Sequence, residues 1–360
     1  MPYTPFRHID SVVWKRNPIQ LTFFLTGKCN ARCPFCFYIS DKNLSKESRP
    51  ELTLDEIRKI AGSTGKLLWL AFSGGEIFLR DDIVEITEVF YKRNKPVIIL
   101  FPTNGLLTDV IREKIEAILK RCKNSTIAVK LSIDGLEAMH DSIRGMKGGF
   151  QKTMHTYNVL GDLLDEYPNF ELGINTVFCS ANQDNMDEII EFVNGLDKIR
   201  THTVSLIRGV VPDKALKDID IGKYLETVDK LAANLKKKIS CIYRFKGAKL
   251  KAAQDILQRR MIYETIKRKK QLIPCYAGRL NLVLTEQGDV YPCESFTMNL
   301  GNVRDNGYDI KKILKKRENK NIIDSIRDTG CFCTHECYLM TNILFNPRLY
   351  LELLKEYLQL

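Results

Sequence analysis

The chain has 360 residues, of which 44% are hydrophobic, and a formal net charge of +11, so it is long enough to bury a large core. The N-terminus lacks the apolar stretch and cleavage site of a signal peptide, and no run of about 18 apolar residues predicts a membrane span. We therefore expect a cytoplasmic protein, in which the 11 cysteines are better suited to binding metal than to forming disulfides.

Six strand-like segments alternate with helix-like segments between residues 19 and 240. The strand-like segments are IQLTFFLT, LLWLAFS, PVIILFP, TIAVKLSID, FELGINTVFCS and THTVSLIRG. Because apolar, β-branched strands alternate with amphipathic helices, the pattern predicts an α/β fold with a parallel sheet and helices outside it. Six such units form either a partial barrel or a doubly wound sheet.

The segment 236–270 is strongly basic. It contains 13 Lys and Arg against two acids, 13 − 2 = +11, so the rest of the chain is neutral overall. One interpretation is a solvated helical linker, and the other is a surface that attracts phosphate or anionic lipid. No basic–aromatic module accompanies it, so we do not expect nucleic-acid binding.

The last quarter of the chain has a different pattern. The stretch LNLVLTEQGDVYPCES predicts a β-hairpin that turns at Gln287, Gly288 and Asp289. Two short helix-like segments follow at 308–316 and 319–328, and then the stretch CFCTHEC. The tail predicts an apolar terminal helix that is interrupted near Pro347.

Three cysteines follow the first strand in the stretch CNARCPFC. Cys29, Cys33 and Cys36 have the spacing C-x3-C-x2-C. Three thiolates at these short intervals can bind three irons of a four-iron cluster, which leaves the fourth iron open to a small molecule. The alternative is a zinc knot completed by a distant ligand. The neighbouring aromatic residues Phe35 and Phe37 favour the desolvated cluster.

The stretch CNARCPFC after the first strand and SGGEIFLR after the second resemble the motifs of radical S-adenosylmethionine (SAM) enzymes. The resemblance implies a partial (β/α)6 TIM-like barrel and a [4Fe–4S] cluster on the three cysteines, with SAM on the open iron. It also implies cleavage of SAM to a 5′-deoxyadenosyl radical that abstracts hydrogen from a substrate. An external electron donor of the flavodoxin or ferredoxin type would then be required.

The resemblance also suggests which residues bind SAM, and those of SGGE, TNG and SIDG lie at the C-terminal ends of strands, where active sites of α/β folds form. These residues are Phe35, Ser73, Gly74, Gly75, Glu76, Asn104, Ser132, Asp134, Arg144 and Asn175. Alternatives stay open: SGGE and TNG could be simple turns, and Asn175 could be a core amide. Arg144 could form a surface ion pair with Asp141.

A second set of cysteines surrounds and follows the predicted hairpin. Cys275 and Cys293 have the pattern C-x12-G-x4-C, and Cys331, Cys333 and Cys337 have the pattern C-x-C-x3-C. The set resembles the SPASM/twitch extension, in which a hairpin and helices hold auxiliary clusters. Five cysteines suffice for one auxiliary [4Fe–4S] cluster. Cys293 and Cys337 fit best, the choice between Cys331 and Cys333 stays open, and a zinc ribbon is the alternative.

Glu294 directly follows Cys293. It resembles a carboxylate that accepts a substrate proton in sulfatase-maturing relatives, and we take it as the candidate catalytic base. The alternative is a solvent-facing residue of the hairpin.

These features predict five regions of the chain. They are a lead-in at 1–18, the barrel at 19–235, a basic helical linker at 236–271, an auxiliary-cluster domain at 272–340 and an apolar helix at 341–360.

The basic segment favours an anionic small molecule, sugar or lipid-pathway compound as substrate, and the apolar tail would suit a peripheral membrane contact. A peptide-modifying maturase is the alternative, although a first strand near residue 19 leaves little room for an N-terminal peptide-recognition module. A non-catalytic zinc protein that binds RNA is a more remote alternative.

Overall fold

The computed structural model describes residues 2–38, 49–328 and 331–360. Six parallel strands follow one another in chain order, and each pairs with the next. They are β1 (Gln20–Thr26), β2 (Trp69–Gly74), β3 (Ile98–Thr103), β4 (Thr126–Ser132), β5 (Phe170–Phe178) and β6 (Thr201–Leu206). The connecting helices are α1 (Leu54–Ser63), α2 (Ile83–Asn94), α3 (Thr108–Arg121), α4 (Glu137–Arg144), α5 (Gly149–Gly161), α6 (Leu163–Glu166), α7 (Met186–Asn194) and α8 (Ile221–Lys236).

The strands are apolar on both faces because both faces are covered. All seven residues of β1 are buried, as expected of a parallel strand with helices on one face and a filled interior on the other. Phe23 points outward, where its ring centre lies 6.1 Å from that of Phe90 on α2. Its neighbour Thr22 points inward. This alternation is what places the cavity described below on the inner face.

The predicted hairpin is present, but it continues the barrel sheet. Strand β7 (Asn281–Leu284) pairs in parallel with β1, and β8 (Asp289–Tyr291) and β9 (Gly301–Asn302) follow in antiparallel order. The sheet order is therefore β6-β5-β4-β3-β2-β1-β7-β8-β9, an open sheet. Gly288 turns the hairpin with a φ of 92°, which only glycine adopts without strain.

Residues 248–268 of the basic segment form a packed helix, whereas the sequence suggested a solvated linker. Helix α9 (Ala248–Arg268) begins 12 residues after α8 ends and packs against α8 and the C-terminal helices. Its apolar side chains Ala252, Ile256 and Ile262 are buried. Arg259 is buried too, and its Nη2 donates a hydrogen bond to the carbonyl of His202 at 3.0 Å. Of the lysines in the segment, Lys249, Lys251 and Lys267 lie on this packed helix.

The C-terminal segments follow the sequence prediction. Helices α10 (Ile310–Lys315) and α11 (Arg317–Asp328) precede the cysteine stretch. Helix α12 (Glu336–Leu344) and helix α13 (Tyr350–Leu358) are separated by a 3-10 turn at Pro347–Leu349, which is the predicted interruption. Among the residues described, no helix is long and apolar enough to cross a membrane.

Candidate functional site

The loop that carries Cys29, Cys33 and Cys36 is pressed against the loop after β2. The amide of Gly75 donates to the carbonyl of Thr26 at 2.8 Å, and the amide of Glu76 donates to the carbonyl of Lys28 at 2.9 Å. A Cβ atom on Gly75 would lie 1.9 Å from the Lys28 oxygen. We expected the glycines of SGGE to admit a ligand, but at Gly75 the group that approaches is the backbone beside the first cysteine.

Glu76 ties this contact to the next strand. Its buried carboxylate accepts hydrogen bonds from the amide of Asn104 and the hydroxyl of Thr103, both at 2.9 Å, and from the amide of Phe78 at 3.2 Å. Burial raises the pKa of Glu76, and these donors oppose the rise. Asn104 in turn donates from Nδ2 to Asn30 Oδ1 in the cysteine loop at 2.7 Å. SGGE and TNG are therefore parts of one network, which simple turns would not form.

Asp134 holds Arg144 beside the cysteine loop. The Asp134 side chain is fully buried; one carboxylate oxygen accepts from Arg144 Nε at 2.6 Å and the other from the amide of Val177 at 2.7 Å. Arg144 Nη1 lies 4.0 Å from the sulfur of Cys33. Both oxygens of Asp134 are occupied by the protein, so its part in the site is to position Arg144.

The alternative of a surface ion pair between Arg144 and Asp141 is wrong. Asp141 accepts instead from the amide of Phe150 at 2.8 Å, at the start of α5. Arg144 is only 9% exposed, and its guanidinium carbon lies 5.6 Å from the ring centre of Phe35. The Arg144 side chain is thus directed toward the cysteine loop.

The three thiols form a donor set that suits an iron–sulfur cluster. Burial raises the pKa of Cys33 to about 11; the charge of Arg144 opposes this rise, whereas Asp134, Cys36 and Cys29 add to it. Burial is also the largest cause of the raised pKa of Cys29. Closely spaced buried thiols resist ionisation until a metal neutralises them, and thiolates are the ligands of such clusters. The residues present therefore fit the group that the resemblance implies.

A cavity of about 350 Å³ extends from this loop between the inner faces of the strands. It brings together most of the residues predicted to bind the cluster or SAM. Those that line it are Cys29, Cys33, Phe35, Cys36, Ser73, Gly74, Gly75, Glu76, Asn104, Ser132, Arg144 and Asn175, together with Glu294 and Cys337. Ser132 and Asn175 are direct neighbours across β4 and β5. Asn175 Oδ1 accepts from Ser205 Oγ at 3.1 Å, so it is a satisfied amide that also faces the cavity.

A lysine that we did not single out from the sequence lies further along the same cavity. Lys130 is on the inner face of β4 and only 6% exposed. Its amine contacts the Thr201 hydroxyl and lies 5.2 Å from the ring centre of Tyr243. A signal was present: Lys130 interrupts the apolar strand TIAVKLSID and shares the face of Ser132, two residues on.

The charges around Lys130 come from three elements. Burial, and then the charge of Lys251, lower the pKa of Lys130 to about 7, whereas the acids Asp255 and Glu171 oppose this. Lys251 and Asp255 form an ion pair on α9 and also line the cavity. The basic segment thus contributes charged side chains to the interior, and Arg259 adds a further positive charge.

Glu294 is buried and lines the same cavity, so the alternative of a solvent-facing hairpin residue is wrong. Its Oε2 lies 2.9 Å from Nη2 of Arg208 and 2.7 Å from Nε2 of His335. Arg208 also approaches Glu336, at 3.5 Å. Burial alone would raise the pKa of Glu294, but His335 and Arg208 outweigh it and hold the pKa at about 2. Glu294 is therefore an ionised carboxylate at neutral pH.

Three of the five C-terminal cysteines, Cys275, Cys293 and Cys337, pack against one apolar cluster that includes Tyr291 and Tyr338. Burial, and then the sulfurs of Cys275, Cys293 and Cys331, raise the pKa of Cys333 to about 12. For Cys337 the largest influences are burial and Glu294, followed by Arg208. The ligand atoms of Glu294, His335 and Cys337 lie within 4.8 Å of one another.

That Cys293 and Cys337 are ligands of the auxiliary cluster stays a prediction. Cys337 also lines the cavity. One cluster takes four cysteine ligands, so the C-terminal set has one cysteine more than one cluster needs.

Comparison with known proteins gives two family matches. The model of the radical SAM superfamily matches residues 23–193, and that of the SPASM iron–sulfur cluster-binding domain matches residues 275–338. The AdoMet-dependent heme synthase of Methanosarcina barkeri is 26% identical over 324 residues, which are 86% of this chain and 85% of that protein. The subtilosin biosynthesis protein AlbA of Bacillus subtilis is 34% identical over 148 residues, 40% of this chain but only 31% of AlbA.

Two solved structures share the fold at low sequence identity. The anSMEcpe protein with bound AdoMet and a Kp18Cys peptide superposes with a TM-score of 0.61 at 18% identity, covering 95% of this chain and all of that one. The Streptococcus suis protein SuiB bound to its precursor peptide SuiA gives 0.62 at 16% identity, covering 89% and 69%.

We predict that Gly75→Ala removes the iron of the first site. The new methyl group must displace the Lys28 carbonyl and with it Cys29, so reconstituted protein should lose about four iron atoms per chain, one cluster's worth. Iron and sulfide analysis after anaerobic reconstitution measures this. Gly65→Ala is the matched control, because a Cβ there meets nothing within 4 Å; equal iron in both variants would contradict the prediction.

We predict that Lys130→Met makes stability less dependent on pH. The folded pKa of about 7 lies below the ordinary value near 10.5, so the unfolded chain binds the extra proton between these values. Above pH 10.5 the burial of Lys130 therefore does not lower the free energy of unfolding through its protonation. As the pH falls toward 7, the free energy of unfolding is lowered by an increasing amount. The variant should gain on the order of 3 kcal/mol at pH 8.

Denaturant unfolding at pH 7, 8 and 9 checks this expectation, with the exposed Lys66 changed to Met as the control. Parallel pH profiles for wild type and Lys130→Met would show that the amine is charged in the folded protein.

We predict that Cys293→Ala and Cys337→Ala each abolish the second cluster, because these two cysteines fit its ligand pattern best. The measurement is iron per chain together with the Mössbauer spectrum of reconstituted protein, in the background of intact Cys29, Cys33 and Cys36. Cys241→Ala is the control, since that cysteine is exposed. Full iron content in Cys337→Ala would exclude Cys337 as a ligand of this cluster.

Proposed function

This chain belongs to the radical SAM superfamily and carries a SPASM domain, and we propose that it acts on a small anionic substrate held between the SAM-binding loops and Lys130. The single observation that carries the proposal is a buried lysine in the same cavity as the cluster-binding cysteines. A buried amine is costly without a counter-charge, and an anionic group of the substrate would provide one.

The cofactors are SAM and a [4Fe–4S] cluster, with an auxiliary iron–sulfur cluster in the SPASM domain. When bound, cluster and SAM supply hydrogen-atom abstraction from a substrate. Cys29, Cys33 and Cys36 would hold the first cluster. Arg144, fixed by Asp134, offers a positive charge beside it, and bidentate recognition of a carboxylate is what a guanidinium does best.

The chain's own residues divide the cavity into two ends. At one end Glu76 and Asn104 fix the loops around the cysteines. At the other, Lys251 on α9 and Lys130 on β4 line the cavity, and an anionic group that binds beside Lys130 would favour the protonated form of its amine. A substrate that places its anionic group on Lys130 would extend toward the first cysteine loop. Binding at a fixed point in this way orients one carbon–hydrogen bond of the substrate for abstraction.

The comparison over most of the chain supports a small substrate. The relative that this chain matches over 86% of its length is called an AdoMet-dependent heme synthase, which names a small-molecule product. The matches to AlbA and to the sporulation killing factor maturation protein SkfB, both from Bacillus subtilis, extend over 40% and 51% of this chain. The chain covers less than half of each of those two proteins.

Peptide modification is the second candidate, and the identity of 34% to AlbA favours it. That value exceeds the 26% identity to the heme synthase, although over a shorter stretch. A peptide side chain carrying a carboxylate could meet Lys130 as well, so the two candidates differ in the size of the substrate more than in the charge of the group that is bound.

Glu294 as the proton acceptor remains a proposal. Its carboxylate is ionised, which a base requires, but Arg208 and His335 occupy it. We therefore propose that it takes up a proton only where the substrate draws Arg208 away. The need for an electron donor of the flavodoxin or ferredoxin type likewise stays a proposal.

We predict that Lys130→Met uncouples SAM cleavage from substrate reaction. The enzyme, reductant and SAM are mixed with the low-molecular-weight extract of cells grown in heavy water, and deuterium transfer into 5′-deoxyadenosine is measured. The 5′-deoxyadenosine that wild-type enzyme forms should contain deuterium. Removal of anions from the extract by an exchange resin beforehand should prevent this transfer. Lys130→Met should still form 5′-deoxyadenosine, but this product should contain about tenfold less deuterium than with wild type. Lys66→Met should transfer as much deuterium as wild type.

Two results would argue against the proposal. Deuterium transfer only from a peptide fraction would favour the second candidate. Full deuterium transfer by Lys130→Met from the small-molecule extract would show that the lysine does not bind the substrate.

A further inference from the structure

We propose that one face of the protein docks peripherally on an anionic membrane. This basal face consists of three segments: residues 5–16, which include the 3-10 helix Pro5–Val12, residues 236–250, and helix α13. The face lies at the N-terminal edge of the parallel strands, away from the cysteines of the first loop.

Contacts with the strand starts locate the first of these segments. Arg7 Nη2 donates to the carbonyl of Leu67, two residues before β2, at 2.6 Å. The amide of Tyr3 donates to the carbonyl of Asn124, two residues before β4, at 2.8 Å. Arg244 in the second segment donates to the carbonyl of Phe170, the first residue of β5, at 2.6 Å.

Exposed apolar side chains are concentrated on the basal face. Of the sixteen large apolar side chains that are exposed among the residues described, twelve belong to its three segments. They are Phe6, Ile9, Val13, Trp14, Ile239, Ile242, Leu250, Tyr350, Leu351, Leu354, Tyr357 and Leu358. Single exposed apolar residues are ordinary on a protein surface, but a contiguous patch marks an interaction site.

Cation–ring contacts show that the three segments adjoin one another. Lys246 Nζ lies 5.6 Å from the ring centre of Phe6, and Lys249 Nζ lies 4.6 Å from that of Tyr357. These contacts join residues 236–250 to the N-terminal helix on one side and to α13 on the other. The patch is therefore continuous across the three segments.

Helix α13 presents its apolar stripe outward. Glu356 anchors the helix through Lys236 Nζ at 2.7 Å and Arg260 Nη1 at 2.8 Å. The anchored side of the helix is buried, whereas Leu351 and Leu358 are 71% and 72% exposed. Residues 351, 354 and 358 follow helical spacing, so these leucines share one face. The stripe is held in place by charged contacts, and no element among the residues that the structure describes covers it.

The charge on this face selects an anionic partner. Residues 236–250 contain six lysines and arginines and no acid, and Lys237, Lys238 and Lys246 are exposed. Exposed leucines with tryptophan and phenylalanine, bordered by lysines, are the signature of a surface that lies in the lipid interface. A nucleic acid would match the charge but leave the leucine stripe uncovered, and a second copy of this basic face would repel the first.

The test is co-sedimentation of the reconstituted full chain with vesicles. One set of vesicles is phosphatidylcholine with phosphatidylglycerol, and the other is phosphatidylcholine alone. We expect binding to the anionic vesicles that falls as salt is raised. Leu351→Gln, Leu354→Gln and Leu358→Gln combined should weaken it by about tenfold, and so should Lys237→Glu, Lys238→Glu and Lys246→Glu combined.

Val110→Gln is the matched control, since that side chain is 37% exposed on α3, outside the basal face. The iron content and circular dichroism of each variant show that it is folded. Equal binding to both kinds of vesicle, no binding, or wild-type binding by both triple variants would overturn the proposal. A dimer in sedimentation equilibrium that the leucine variant abolishes would do so too, because the stripe would then belong to a second copy.

Discussion

The position of the first cysteine loop depends on a contact with no room for a side chain. The carbonyl of Lys28 receives the amide of Glu76, and a Cβ on Gly75 would overlap it. From this contact the Glu76 carboxylate reaches the loop after β3, and Asn104 returns to Asn30 in the cysteine loop. Three strand ends are thereby fixed around three thiols before any cofactor is considered. A reactive group can be held in one geometry only by a rigid arrangement of this kind.

The cavity is lined by charges, and nearly every one has a protein partner. Arg144 is paired with Asp134, Arg208 with Glu294, and Lys251 with Asp255. Lys130 is different, because its amine contacts a hydroxyl and faces an aromatic ring rather than a carboxylate. Because the other charges named here are paired within the protein, the Lys130 amine is suited to a ligand that binds reversibly.

The sequence was informative where a local pattern has a local cause. Alternating strands and helices predicted six parallel strands, and the spacing of Cys29, Cys33 and Cys36 predicted one shared site. It was not informative where the outcome depends on contacts distant along the chain. The burial of Glu294 depends on Arg208, 86 residues away. The lysines of α9 suggested a solvent-exposed helix. The sequence pattern could not show that the other face of this helix packs against the interior of the barrel. Lys130 was overlooked for the same reason, since its neighbours Thr201 and Tyr243 come from later elements.

The pairing of β7 with β1 has a consequence for dividing the molecule. Strand β1 is an interior strand only because a segment from beyond residue 280 covers its second edge. A fragment that ended after the barrel would leave one edge of Gln20–Phe23 unpaired along an apolar strand, which is a template for aggregation. The SPASM domain thus also serves as the cover of the barrel's first strand, and neither part is expected to be recovered as a well-behaved independent fragment.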